Sequence, residues 1–409
     1  MQRFSNKLVL AGAALLGLLL SLAPIQMASA SSWSEITQAA KGQSVYFNAW
    51  GGDDKINDYI QWAAKRLKSE HNITLTHVKL SDTSAAVARI LAEKTAGRTS
   101  DGSVDLLWVN GENFAAMKRA DLLQADSWVF DLPSWQFTDT TELPGLISDF
   151  AEPTDGRESP WGRAQLVFAY DTAITATPPQ NPAELMAYIK ANPGRFTFPQ
   201  PPDFVGVSFL KQIALELSAQ DPALFKPASE EAAARVLAPL WAWLDEAQPH
   251  FWRGGRSYPA DYPSLRQLLG DGEIDIAVSF NPADASNAIA SGDLPETVRT
   301  YIHQNGTLAN IHFLAIPFNA QAPEAARLVA DFMLSPEAQI KKADPTIWGD
   351  PTVLSYAKLS ARDKAAMDSL PRGVATLSAA ELNATLPEPH PSWVKVLEQG
   401  WASRYGAGR

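Results

Sequence analysis

VYFNAWGGDDKINDYIQWAAKRL, residues 45–67, changes character in its middle. A β-prone run from Val45 to Phe47 stops at Asn48-Ala49-Trp50-Gly51-Gly52, and apolar residues then recur at Ile56, Tyr59, Ile60, Ala63 and Leu67. The first half predicts a strand. The second has the period of a helix with one face in a core, and Asp53 and Asp54 stand in its first turn, where the helix dipole favours them. The glycine pair between them could cradle a phosphate, line a ligand cleft or simply turn the chain. A phosphate loop needs Gly-x-x-x-x-Gly-Lys-Ser/Thr or Gly-x-Gly-x-x-Gly, so that successive N–H groups wrap the anion. Neither pattern is present, and two aspartates follow. Open α/β sheets present ligand sites at the carboxyl ends of their strands. The preferred reading is therefore a cleft loop with Trp50 projecting as a stacking surface; a tight turn with Trp50 packed inward is the alternative.

The same alternation runs outward from this unit. Ile73 to Val78 is β-rich, and Ser81-Asp82-Thr83-Ser84 caps a helix carrying Val87, Ile90 and Leu91. Val104 to Val109 predicts a strand that ends at Asn110, with a helix from about Glu112. Beyond the proline-rich stretches at 177–182 and 198–202, a second unit begins. It has a strand at Arg195–Phe198, a helix marked by Val207, Leu210, Ile213 and Leu217, a long helix from about Glu230 to Ala247, and a buried strand at Glu273–Phe280. Gly102-Ser103-Val104-Asp105-Leu106 parallels Gly272-Glu273-Ile274-Asp275-Ile276, and each run leads to an asparagine, Asn110 or Asn281. The apolar segments Leu166–Tyr170 and His312–Ile316 lie where one unit would pass to the other.

The first thirty residues read separately. Arg3 and Lys7 flank an apolar run from Leu8 to Leu20, and Ala28-Ser29-Ala30 offers small residues for cleavage, so residues 1–30 are expected to be a secretory signal peptide. The run is short for a membrane span. The chain has no cysteine. A thiol nucleophile is thereby excluded, and so is the cysteine on which bacterial lipid anchoring depends. Net charge is −11, or −13 without Arg3 and Lys7, which disfavours nucleic acid and anionic lipid as partners.

Three stretches in order, Val104–Phe114, Ile274–Pro282 and Ala325–Gln339 with its closing Ser335-Pro336-Glu337-Ala338-Gln339, resemble the extracellular solute-binding proteins of ABC importers. With the Asn48–Gly52 loop, the resemblance is greatest to the YnjB-type periplasmic group and covers roughly residues 40 to 345. It implies an α/β, two-lobed, type II-like periplasmic-binding-protein fold, with two crossing strands and the ligand held between the lobes. The expected division is 31–168 with 310–345 as the N-terminal lobe, 169–309 as the C-terminal lobe, and 346–409 as a helical tail across both. Hinges are expected near Tyr170 and Leu314. The resemblance also implies a periplasmic, non-catalytic protein that closes on a small solute and docks on a permease and its ATPase.

Cleft candidates follow from strand ends and helix starts: Asn48, Trp50, Gly51, Ser84, Asn110, Glu112, Asn281 and Asp284, with Tyr170 at the crossing. In the Phe251–Tyr258 loop, Trp252 and Tyr258 offer flat surfaces to a ring or ammonium group. Ser84 and Asp284 also fit ordinary helix capping. No Gly-x-Ser-x-Gly elbow, His-Glu-x-x-His helix or metal-ligand histidine spacing occurs, so no catalytic residue, metal or cofactor is expected. The acidic loops favour a cationic or neutral ligand, thiamine-like or sugar-like first and polyamine next, with sulfate-type anions last. A monomer is expected. The rival reading is a secreted glycosidase-like enzyme, which would require a pair of carboxylates across the scissile bond. No such pair is identifiable.

Overall fold

A computed structural model describes residues 32–378 and 380–406; the signal peptide expected over residues 1–30 lies outside the described residues. The opening stretch folds as β1 (Ser44–Trp50) followed by the helix Asp54–His71, and β2 (Thr74–Leu80) and β3 (Leu106–Val109) lie parallel on either side of β1. A two-residue hairpin joins β4 (Ser148–Asp149) to β5 (Glu152–Pro153). Then β6 (Glu158–Gln165) leads almost directly into β7 (Val167–Asp171), followed by β8 (Ile276–Ser279), β9 (Val298–Tyr301), β10 (Thr307–Ala315) and β11 (Thr385–Leu386).

Two sheets result. The first runs β2-β1-β3-β10, with β10 antiparallel to β3, β6 on β10, and β11 beside the start of β10. The second is the antiparallel order β8-β7-β9. Each has its own core. Phe47, Trp128, Trp161, Leu314 and Met333 fill the first, and Phe168, Phe209, Leu240, Phe251 and Trp393 fill the second. Burial on this scale supplies most of the stability of each unit, since hydrophobic transfer is the dominant favourable contribution.

The chain passes between sheets twice. One passage is at Leu166, between β6 and β7. The other lies inside β10, where Leu308 belongs to the second core and Ile311 to the first. Tyr170 and Leu314, expected as hinges, are instead paired within the two sheets, opposite Ile276 and Trp108. Three other expectations change. The helix over 230–247 is two, Glu230–Val236 and Ala238–Ala247, because Pro239 has no N–H to continue the ladder. Arg195–Phe198 contributes only a bridge from Phe196 to Ile276. The tail is mixed rather than simply helical: Ala361–Asp368 and Ser392–Tyr405 are helices, with β11 between them.

Candidate ligand-binding site

Because β1, β2 and β3 are parallel, their carboxyl ends share one edge, and the loops at 51–53, 81–84 and 110–112 emerge there together. Gly51 donates its N–H to the Leu80 carbonyl (3.0 Å) and accepts from Asn57 Nδ2 (3.1 Å). A Cβ on Gly51 would sit 2.7 Å from Lys79 Cβ, and one on Gly52 would run into the Trp50 indole. Neither residue has a positive φ. The glycine pair therefore makes room for side chains: the Lys79 stem lies on one and a half-buried Trp50 lies over the other. Thr83 Oγ1 donates to the Trp108 carbonyl (3.2 Å), which fastens the second loop to the third. Asn110 precedes the helix Gly111–Arg119 with its side chain unused as a cap.

The second lobe faces this edge. Val167 pairs with Ser279, so the end of β8 lies beside the crossing, and Asn281 and Asp284 follow at once. Asn281 Oδ1 accepts the Ala283 N–H (3.0 Å) in a turn that starts the helix Asp284–Ser291. Asp284 is buried and held from two sides, by the Tyr262 hydroxyl and by Arg266 Nη1 (3.0 Å). Arg266 also lies 3.9 Å from Asp53 of the first lobe. Lys55 Nζ reaches Asn287 Oδ1 (3.0 Å), and Asn287 Nδ2 donates to the Trp348 carbonyl (2.9 Å). Farther in, Lys211 of the helix Phe204–Leu217 carries its ammonium 4.5 Å from the Phe150 ring centroid and 2.6 Å from Glu388.

Carboxylates dominate this junction. Asp53 caps the helix Asp54–His71, Asp82 accepts the Ser84 N–H (2.7 Å), Asp149 accepts the Gly111 N–H (2.6 Å), and Asp203 caps Phe204–Leu217. Burial pushes Glu112 up to about 6, although the Lys211 charge opposes the shift. Burial likewise pushes Asp203 up to about 6 against its two N–H bonds.

Of the residues singled out by sequence, the structure brings Trp50, Gly51, Asn110 and Glu112 to one edge and Asn281 and Asp284 to the other. Ser84 shares the first edge but is exposed in a capping turn. Asn48 is fully buried two residues behind Trp50, with its Oδ1 unpartnered among the described residues. Three are corrected. Tyr170 lies at the end of β7 opposite the crossing, edge-on to Tyr301. Trp252 is buried in the second core, its Nε1–H on Glu273 (2.7 Å) and its face covered by Arg253. Tyr258 is packed among Phe198, Phe251 and Trp401 of the same lobe. The glycines and arginines that suggested a free loop at 251–258 instead allow the left-handed turn at Arg253–Gly255 that folds these rings inward.

Sequence reasoning missed Phe150, Lys211, Arg266 and Glu388. Lys211 had a signal: it is the lone cation in FVGVSFLKQIALEL, a helix apolar on nearly every side, and lysine is almost never fully buried unless paired.

The family model for bacterial extracellular solute-binding proteins matches residues 62–368. The chain belongs to that family. It is 47% identical over 379 residues to the protein YnjB of Escherichia coli K12, covering 92% of this chain and 95% of that protein. Among solved structures it is similar to the periplasmic binding protein AfuA of Actinobacillus pleuropneumoniae with exogenous fructose-6-phosphate bound (TM-score 0.63, 13% identity, 90% of this chain and 99% of that one). It is also similar to the Tp0655 (TpPotD) lipoprotein of Treponema pallidum (TM-score 0.62, 15% identity, 88% and 98%). The two-lobed periplasmic-binding-protein fold is thus established, and the family gives the role: a non-catalytic extracellular solute-binding protein. The glycosidase reading is set aside.

Proposed function

We propose that the solute is cationic or neutral and is held between the loops at 50–53, 83–84 and 110–112 of one lobe and 281–284 of the other. The observation that carries this reading is the state of the helix N-termini at those loops. An N-terminus is a ready anion site when its N–H groups are free. Here Asp53, Asp82, Asp149 and Asp203 already take the leading N–H groups of four helices, and Asp284 stands in the first turn of the fifth. The nearby cations are engaged too: Lys55 with Asn287, Arg266 with Asp284, and Lys211 with Glu388. An oxyanion would meet carboxylates at these positions, where each of these three cations already has a partner of its own among the described residues. In this reading the chain is exported by its cleavable signal peptide, works as a monomer without a lipid anchor, and passes its solute to a permease by lobe closure.

Isothermal titration against charge classes tests it. Sulfate and inorganic phosphate are expected to give no heat of binding at either low or high salt, whereas a member of the neutral or cationic sets (sugars, thiamine, polyamines) is expected to bind. Tight binding of a divalent anion would sink the reading.

A further inference from the structure

Lys211 is 2% exposed and sits where the two lobes meet, yet its surroundings use it incompletely. Among the described residues its one hydrogen-bond partner is Glu388 Oε2 (2.6 Å), so two of its three N–H groups have no acceptor. A buried charged donor without an acceptor is costly. Two rings flank the ammonium. Phe150 of the first lobe lies 4.5 Å away, and Phe204, two helical turns before Lys211 on its own helix, lies 5.6 Å away.

The placing of Phe150 is unusual in itself. Phe150 and Ala151 form the two-residue turn between β4 and β5, both with positive φ (44° and 64°). Such turns are ordinarily made by Asn-Gly, because side chains with a Cβ are strained there. Phe150 is buried but belongs to neither hydrophobic core. Its ring rests on Gly111, where a Cβ would run into it. Strain of this kind persists only where surrounding structure holds it, and it gathers at functional sites. The hairpin holds a phenylalanine out of both cores in order to set it against a lysine of the other lobe.

We propose that Lys211 is a specificity-determining residue at the floor of the cleft, where its unused N–H groups take a hydroxyl or carbonyl oxygen of a neutral solute. The inference rests on the charge-class reading above and narrows it from cationic or neutral to neutral. An ammonium ligand finds the Phe150–Phe204 faces already occupied by the chain's own cation, which repels it. A carboxylate or phosphate would pair with Lys211 but would meet Glu388 at 2.6 Å from the same nitrogen, with Glu112 and Asp149 both close enough to feel the lysine charge. An uncharged oxygen escapes both penalties. Half-buried Glu112 is then available to accept from a solute hydroxyl, which suits a polyhydroxy solute.

Thermal-shift measurements on the full mature chain test this, with D-glucose, D-fructose, D-ribose and myo-inositol as neutral probes, putrescine and choline as ammonium probes, and sulfate as the anion. A neutral probe is expected to raise the Tm, and putrescine and choline to leave it unchanged. By titration, Lys211→Met combined with Glu388→Gln is expected to lower affinity for the stabilising neutral probe by about tenfold or more. Glu112→Gln, at a half-buried position that does not threaten folding, is expected to lower it as well. Stabilisation by an ammonium probe, or by no neutral probe, overturns the proposal but leaves the exclusion of anions standing. Wild-type affinity in either variant overturns it too. Stabilisation by sulfate would instead remove the charge-class reading beneath it.

Discussion

Glu158 opens β6 opposite Ala315, is 1% exposed, and has both carboxyl oxygens without a partner among the described residues. Burial pushes its pKa well above the ordinary carboxylate range, and the nearby Asp149 adds to the shift. An acid raised in this way binds its proton more tightly in the folded state than in the unfolded one. Between the unfolded and folded pKa values the native chain therefore carries more protons, and stability falls as pH rises through that window. Glutamine is an uncharged near-isostere that abolishes this slope. Glu158→Gln is expected to raise the Tm by a few °C, roughly the effect of 1 kcal/mol, at pH 8 and by less at pH 5. Equal melting curves for variant and wild type at both pH values would show that Glu158 does not titrate in this way.

At the scale of elements, the contact between the start of the Asp54–His71 helix and the helices Tyr262–Gly270 and Asp284–Ser291 is a charged latch across the lobes. Its asymmetry is informative. Arg266 is bonded to Asp284 of its own lobe at 3.0 Å but only approaches Asp53 at 3.9 Å, so the cross-lobe half is the weaker. A partly exposed pair of this kind contributes about 0.2–1 kcal/mol and is screened by salt. Asp53→Asn keeps the helix cap, since asparagine caps as well as aspartate, and removes only the charge. The variant is expected to populate open forms more, by a factor of roughly 1.4 to 5, in the ligand-free protein at low salt, measured by fluorescence transfer between labels on the two lobes. Added salt should move the wild type the same way. If neither changes the transfer efficiency, the latch has no part in closure.

How much of this was legible in the sequence depended on locality. Strand β1 with its helix and the asparagines ending the strands at 110 and 281 followed directly from period and strand-end chemistry, because neighbouring residues alone determine them. Partners at the junction are set by residues far apart in the chain: Lys55 with Asn287, 232 positions on, Lys211 with Glu388, 177 positions on, and Phe150 with Lys211. No local pattern announces them. The aromatic loop misled for a related reason. Trp252 and Tyr258 have loop-like neighbours in sequence, but Phe196, Phe198 and the C-terminal helix enclose them in space. The hinge error was one of register, since an apolar run shows that a strand is buried and not where along it the partner sheet changes.

For the whole molecule, the connection that matters beyond the two crossings is the tail. Trp348, Val353 and Leu359 pack in the first core, and Ala375, Leu386, Trp393 and Trp401 in the second, so the chain crosses a third time between them. Near the crossings, Gln165 Nε2 donates to Thr307 Oγ1 (3.1 Å) and to the Ala384 carbonyl (3.0 Å), and Gln212 accepts the Leu308 N–H (2.8 Å). β11 adds a parallel pairing to the first residues of β10. These bonds tie the crossing strands to the second lobe, and the rotation is expected to fall on the few residues around Leu166 and Ala309, as hinges usually concentrate their change in a few residues. Closure on a solute is expected to reduce the radius of gyration in small-angle scattering, because a ligand touching both lobes binds the closed form better. The third crossing should limit how far the empty protein opens. It passes through the exposed residues Pro371 and Arg372, where a flexible insertion disturbs neither core. Inserting six Gly/Ser residues after Pro371 is expected to leave the liganded radius unchanged and to enlarge the ligand-free one. A ligand-free radius equal to that of the parent would show that the two crossing strands alone set the range of motion.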